Sequence, residues 1–197
     1  MTLGIDCSCG AIELATKLLG CRLLQVDEDG VRGGRIVETE AYPGGPDRAS
    51  HSFDGRRTAR NEAMYLAGGH IYVYLIYGIH HCVNIVSGSQ GSGEAVLVRS
   101  LVPEEGICSM RVRRPGVPDR DLCRGPGRLT RAMGIDLSLN GSHLDDRPGL
   151  QLHPPRQPVG KIVNGPRIGV ASAGSWSRRC YRFGVDQPTV WSRPFAK

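Results

Sequence analysis

The chain has 197 residues, 40% hydrophobic and 22% charged, with a formal net charge of +6. That length can bury roughly 70% of the unfolded surface in one domain, so the core requires neither disulfides nor a metal. No apolar run approaches about 18 residues, which excludes a membrane-spanning helix, and the opening MTLGIDCSCG has no basic stretch leading into an apolar one, so no secretory signal is expected.

The first element is a helix from Ser8 to about Leu19. Ser8 caps it, Ile12, Ala15, Leu18 and Leu19 form an apolar stripe, and Gly20 stops it. A β pattern follows from Arg22 to Glu28, turns at Asp29-Gly30 and returns to about Glu40. Residues 42–60, with Gly44, Gly45, Pro46 and Gly55, read as a long irregular connection, a type that is functional or disordered in a compact domain. Asn61 caps a short helix to Leu66. Two β-rich runs, 71–77 and 79–86, flank Gly78 and predict a hairpin. Period two puts Tyr72, Tyr74 and Ile76 on one face and Ile71, Val73, Leu75 and Tyr77 on the other. A Ser/Gly turn at 87–93 leads to a strand over 94–101. Pro103 opens a helix to about Arg113, and Pro126 another to about Met133. Residues 136–166 are Pro-rich and poorly patterned, and strand-like pieces return at 167–171 and 181–185. The sum is a mixed α/β fold of mostly antiparallel strands in a single domain, 1–197.

Several polar residues interrupt apolar strands. Ile36-Val-Glu-Thr-Glu-Ala-Tyr42 starts apolar and ends in two carboxylates and a tyrosine. Glu38, Glu40 and Tyr42 share a face; they are a solvated strand end, or they line a pocket where a carboxylate serves as general base. Arg99 lies inside Ala95–Leu101, so it either points out from an edge or pairs with Glu40 or Glu38. Asn84 must be hydrogen-bonded, within the fold or to a ligand. Tyr65, Tyr72, Tyr74 and Tyr77 fall within thirteen residues and form a core stripe or a platform for stacked bases. Tyr77, beside Gly78 at a hairpin tip, fits poorly in a core.

Arginine numbers 22 against three lysines, Lys17, Lys161 and Lys197. Arginine suits bidentate phosphate contacts, so the excess points to a polyanionic partner or reflects a GC-rich coding sequence. Arg124, Arg128 and Arg131 surround the start of the helix at Pro126, which is structural or holds a phosphate on its amides. Arg48, Arg56, Arg57 and Arg60 form a second basic set. The seven cysteines include no C-x-x-C pair and predict reduced thiols in a cytoplasmic protein. Cys7 and Cys9 read as ordinary thiols, and consecutive His80, His81 and Cys82 would splay across a strand, so no metal site is expected. No phosphate loop, dinucleotide fingerprint, zinc-protease helix or nucleophile elbow is present.

Together, Arg35-Ile-Val-Glu-Thr-Glu-Ala-Tyr42, His51-Ser52, Arg60-Asn61 with Met64, Tyr72-Val-Tyr-Leu-Ile-Tyr-Gly78 through Asn84, Leu122-Cys-Arg-Gly-Pro-Gly-Arg-Leu129 and Arg167-Ile-Gly-Val170 resemble the alkyladenine (3-methyladenine) DNA glycosylase family. The resemblance covers nearly the whole chain and is weakest over 136–160. It implies a single compact domain with a curved antiparallel sheet and a protruding β-hairpin, monomeric and without cofactor or metal. It implies an enzyme that works from the minor-groove side of damaged double-stranded DNA, flips alkylated or deaminated purines out of the stack and hydrolyses the N-glycosidic bond. By position, Glu40 matches the base that activates the attacking water and Arg99 its partner. Tyr42, His51 and Tyr74 match the walls that sandwich the base, Asn84 the residue that excludes guanine, and Val170 a backbone neighbour of the water. Tyr77 matches the intercalating residue, and Arg56, Thr58, Ile79 and His80 match DNA contacts. Two other readings stand beside this one. One is a non-catalytic DNA-binding module of the same fold. The other is a hydrolase of free nucleosides, which would have no use for Tyr77 or the arginine-rich surface.

Overall fold

The computed structural model describes residues 5–195; the opening four residues and Lys197, both named above, lie outside that range. The helices are α1 (Ala11–Lys17), α2 (Ile107–Arg113) and α3 (Pro126–Met133). The strands are β1 (Arg22–Asp27), β2 (Gly30–Tyr42), β3 (Ile71–Ile76), β4 (His80–Ser87), β5 (Glu94–Glu105), β6 (Gly149–His153), β7 (Ile162–Gly165) and β8 (Arg182–Val185). All eight join one curled antiparallel sheet, with β3-β4-β5-β2-β1-β6 as its main path. β2 is its spine. β5 runs along one edge, while the other edge is shared by β1, opposite residues 30–35, and β8, opposite Glu38–Glu40.

Alternation along the strands sorts side chains onto two faces. Ala41, Ile71, Val73, Val83, Ile85, Val96 and Val98 pack into the main core with Leu14 and Leu18 near α1 and Leu129 and Met133 of α3. The opposite face carries a row across four strands: Tyr72 opposite Asn84, Asn84 opposite Leu97, and Leu97 opposite Glu40. One face is thus closed by helices, and the other is left to build a cavity.

The β2–β5 register breaks three times, first between Gly33 and Gly34 and then twice, in opposite senses, between Ile36 and Thr39. Ile36 faces Leu101 and Glu38 faces Ser100, so Val37 is the extra residue; Thr39 then faces Val98, so Arg99 is the extra residue. Bulges bend a strand and re-aim its side chains, and these two fall beside Glu38 and at Arg99.

Both expected hairpins form. In the three-residue turn 77–79 after β3, Tyr77 (φ 53°) and Gly78 (φ 72°) both take the left-handed conformation, and the Ile79 amide closes the turn on the Ile76 carbonyl at 3.2 Å. This breaks the alternation, and Tyr77 lines the cavity with Tyr72, Tyr74 and Ile76 instead of sharing the face of Val73.

Other elements differ from expectation. α1 begins at Ala11, not Ser8, because Ser8 is occupied with Asp6 and the first free amide, that of Ala11, is capped by the Glu94 carboxylate from β5. Ile12 is exposed; Ala11, Leu14 and Ala15 form the buried side. Pro103 starts no helix. It lies within β5 opposite Gly34, and α2 starts only after Gly106. The poorly patterned stretch contains β6 and β7, which exist through pairing with β1 and β8. Residues 167–171 form a turn rather than a strand, with Gly169 at φ 79°.

Candidate active site

β2 to β5, the 43–60 connection and the 167–170 turn surround a cavity of about 270 Å³, near the lower bound of roughly 300 Å³ for small-ligand pockets. The sheet contributes Tyr42, Tyr72, Tyr74, Asn84, Leu97 and Arg99. The connection contributes His51 and Arg60, and the turn contributes Ile168, Gly169 and Val170.

The aromatic walls are fixed by their neighbours. His51 meets Tyr74 edge-on at 4.7 Å between centroids, and its Nδ1 lies 2.8 Å from the Tyr72 hydroxyl. Asn61 holds the connection that carries His51. Its Nδ2 donates to the carbonyls of His51 and Arg56, and its Oδ1 accepts from Thr58. Asn61 therefore ties the loop together and does not cap the short helical turn at Glu62–Tyr65. Asn84 is buried and donates to the Tyr72 carbonyl at 3.0 Å. Burial pushes the Tyr72 and Tyr74 phenols well above their ordinary pKa, so both stay neutral. The four clustered tyrosines divide: Tyr65 packs in a small core and donates to Arg56, Tyr72 and Tyr74 wall the cavity, and Tyr77 is exposed at its mouth.

Glu40 stands immediately behind the lining and is fully buried. Its Oε1 accepts the Ile168 amide at 2.7 Å. Its Oε2 accepts the Tyr42 hydroxyl at 2.9 Å and lies 3.2 Å from Nη1 of Arg99. Burial drives the Tyr42 phenol well above its ordinary range, reinforced by Glu40. A carboxylate offers about four acceptor positions; these contacts use three. Arg99 is buried, which opposes its charge, but Glu40 and Glu38 outweigh burial and raise its pKa.

Glu38, one step back from Glu40 on the same face, is also fully buried. It accepts Nε of Arg99 at 3.1 Å, Nε of Arg182 at 2.7 Å and the hydroxyl of Ser192 at 2.8 Å. A second buried pair, Arg167 with Asp47, supports the other side. Arg167 covers the Tyr42 ring at 4.7 Å and bonds the Ala41 carbonyl. Arg182 is not among the residues singled out from the sequence, although it interrupts Tyr181–Val185 as Arg99 interrupts its own strand and carries the same signal. The Ile168 amide and the Asp47–Arg167 pair left no such signal.

At the mouth, Tyr77 is 86% exposed and Ile79 71% exposed. Arg56, Thr58 and His80 are also exposed. Arg60 bonds the Leu75 carbonyl and lies over Tyr74, and Arg57 pairs with Glu62. Near α3, Arg128 and Arg131 are exposed, whereas Arg124 is tied to Asp121 and the Trp191 carbonyl. No helix among the described residues is long and apolar enough to cross a membrane.

The sequence profile described as "Methylpurine-DNA glycosylase (MPG)" matches residues 6–189. Proteins carrying the name "Putative 3-methyladenine DNA glycosylase" align along most of their length. The one from Bacillus licheniformis is 44% identical over 92% of this chain and 91% of its own, that from Nitrosospira multiformis 44% over 97% and 93%, and that from Methanoculleus marisnigri 45% over 86% and 88%. The match runs through the strands, connection and turn that build the cavity, and the chain belongs to the methylpurine-DNA glycosylase family.

Proposed function

We propose that the chain, as one glycosylase domain, is a monofunctional DNA glycosylase that extrudes alkylated or deaminated purines from duplex DNA and hydrolyses their N-glycosidic bond. The candidate lesions are 3-methyladenine, 7-methylguanine, hypoxanthine and ethenoadenine. The observation that carries this reading is an aromatic cavity lined by Arg99, with its partner Glu40 directly behind the lining and an exposed tyrosine at the mouth.

A base inside a duplex cannot reach such a cavity, so it must leave the stack, at a cost of a few kcal/mol. Tyr77 enters the vacated space from the minor groove and offsets part of that cost. Ile79, His80, Arg56 and Thr58 contact the duplex around it. The extruded purine lies between Tyr42, His51 and Tyr74, whose electron-rich rings favour a cationic alkylated base. Asn84 opposes the exocyclic amine of guanine, and Val170 closes the cavity near the sugar.

In the chemical step, a water on the remaining acceptor position of Glu40 loses its proton to the carboxylate and attacks C1′. The bond from C1′ to the base nitrogen breaks, and its electron pair leaves with the base. Arg99 holds Glu40 and the water. Cationic bases leave readily; neutral ones take a proton as they leave. A Schiff-base route needs a lysine, and neither Lys17 nor Lys161 lines the cavity.

One observation favours a second reading, a DNA-binding module without catalysis: Glu40 is wholly buried and bonded on both oxygens. A release assay separates the two. Purified chain is incubated with duplexes carrying hypoxanthine or ethenoadenine and with methylated DNA. Abasic sites on at least one are expected; none on any leaves the binding module.

A further inference from the structure

We propose that Ser192 is a positioning residue for this reaction, carried by the C-terminal segment 190–195, and that it fixes the plane of the Arg99 guanidinium and hence its hold on Glu40. The inference rests on the reading of Glu40 and Arg99 as the reacting pair.

Ser192 does not line the cavity; it acts from behind. Its hydroxyl donates to Glu38 Oε1 at 2.8 Å and accepts from Nη2 and Nε of Arg99 at 3.2 and 3.4 Å. A hydroxyl has one donor and two acceptor positions, so all three are committed here. Its backbone amide adds a bond to the other oxygen of Glu38. Nη1 of Arg99 is left for Glu40. Each guanidinium nitrogen thus has an assigned partner, and Ser192 supplies the one for Nη2. Glu38, with a longer contact from Ser192, holds the Nε end; the Ser192 contact to Nη2 stops rotation about it.

The segment that presents Ser192 is clamped in place. Ser100 donates to the Val190 carbonyl at 2.8 Å, Arg124 to the Trp191 carbonyl at 2.7 Å, and the Trp191 indole to Val185 at 2.6 Å. Arg182 lies 3.9 Å from the centre of the Phe195 ring, which meets Trp191 edge-on. Gly184 allows this closeness, since a Cβ there would come within 3.0 Å of both rings. Cross-links to β5, β8 and the start of α3 make the segment a brace across the back of the ion-pair network. The family profile ends at residue 189, before Ser192.

The test compares the wild-type chain with Ser192→Ala and Ser192→Thr. It measures single-turnover base release on the lesion the wild type excises best, Kd for a duplex with an abasic-site analogue, and the thermal midpoint. Misplacing a reacting group by about 1 Å can cost about 100-fold. Ser192→Ala is therefore expected to slow release by about tenfold or more with Kd changed by less than about twofold, and Ser192→Thr to restore most of the rate. Unchanged release in Ser192→Ala, equal loss of release and binding, failure of the alanine variant to fold, or no rescue by threonine would each overturn the proposal. Wild-type protein inactive on every lesion would instead sink the parent reading, which keeps the two failures distinct.

Discussion

Nη1 of Arg99 lies 3.2 Å from Oε2 of Glu40, in a sheet where Arg99 is the residue that the β2 register steps past. Nε of the same side chain holds Glu38. One cation therefore serves two buried carboxylates, with Arg182 as a second cation on Glu38. Removing charge from different members should have different consequences. Glu40→Gln keeps the shape and the acceptor for the Ile168 amide but loses the base. Release should fall about 100- to 10,000-fold, while binding to an abasic-site duplex stays within a few-fold. Equal loss of both would make Glu40 structural. Arg99→Met leaves two buried carboxylates short of a cation and should cost about 3–5 kcal/mol of stability, read as a lower urea midpoint. An unchanged midpoint would show that the pair contributes nothing to folding.

Tyr77 combines exposure with a left-handed backbone, φ 53°. A side chain in that conformation costs on the order of 1 kcal/mol. Tyr77→Gly should hold or raise the thermal midpoint and reduce lesion binding more than binding to undamaged duplex. A fall in stability, or equal loss on both DNAs, would remove intercalation as the reason for a strained aromatic.

Much of this arrangement was legible in the sequence. Arg99 and Asn84 stood out because a polar side chain in an apolar strand needs a partner, and both found one. The hairpins were legible because Asp29-Gly30 carries turn chemistry and Gly78 stands between two β-rich runs. What local pattern could not show was help from distant residues. Glu94 replaces Ser8 as the cap of α1, and β6 and β7 are short strands held by β1 and β8. The 167–171 stretch has strand-like residues, yet its Ile168 amide goes to Glu40 and its Arg167 to Asp47, so no ladder forms. Pro103 suggested a helix start, but pairing with Gly34 keeps it in β5, where a Cβ on Gly34 would collide with the Val102 carbonyl.

Asp47 and Arg167 are both buried and join the 43–60 connection to the turn that supplies the Ile168 amide. Breaking one side of such a pair leaves an uncompensated charge. Asp47→Ala should cost about 3–5 kcal/mol, measured by urea unfolding, and should expose the connection to limited proteolysis. The double variant Asp47→Leu/Arg167→Met should recover part of that loss. A single variant as stable as the wild type would mean that the pair is solvated in solution.

His51 links the cavity to pH. Partial desolvation against the tyrosines, reinforced by Arg60 and Arg56, holds its pKa below the ordinary histidine value. The ring is therefore neutral near pH 7 and can face a cationic purine. Protonation adds a positive charge opposite that base. Binding of a 7-methylguanine duplex should weaken as pH falls through the lowered value, and binding of a hypoxanthine duplex, whose base is neutral, should weaken less. Folding follows the same sign. The unfolded chain takes up this proton near pH 6.5 and the folded chain only at lower pH. Stability from His51 therefore declines as pH drops from about 6.5 to the folded value and is level below it. Kd for the two duplexes and urea midpoints, followed from about pH 8 to about pH 5, read both effects. His51→Gln should flatten the difference between the lesions. If that difference survives in the variant, another group titrates at the cavity; if the two duplexes lose affinity in parallel in the wild type, the pH effect lies in the DNA contacts and not in the wall facing the base.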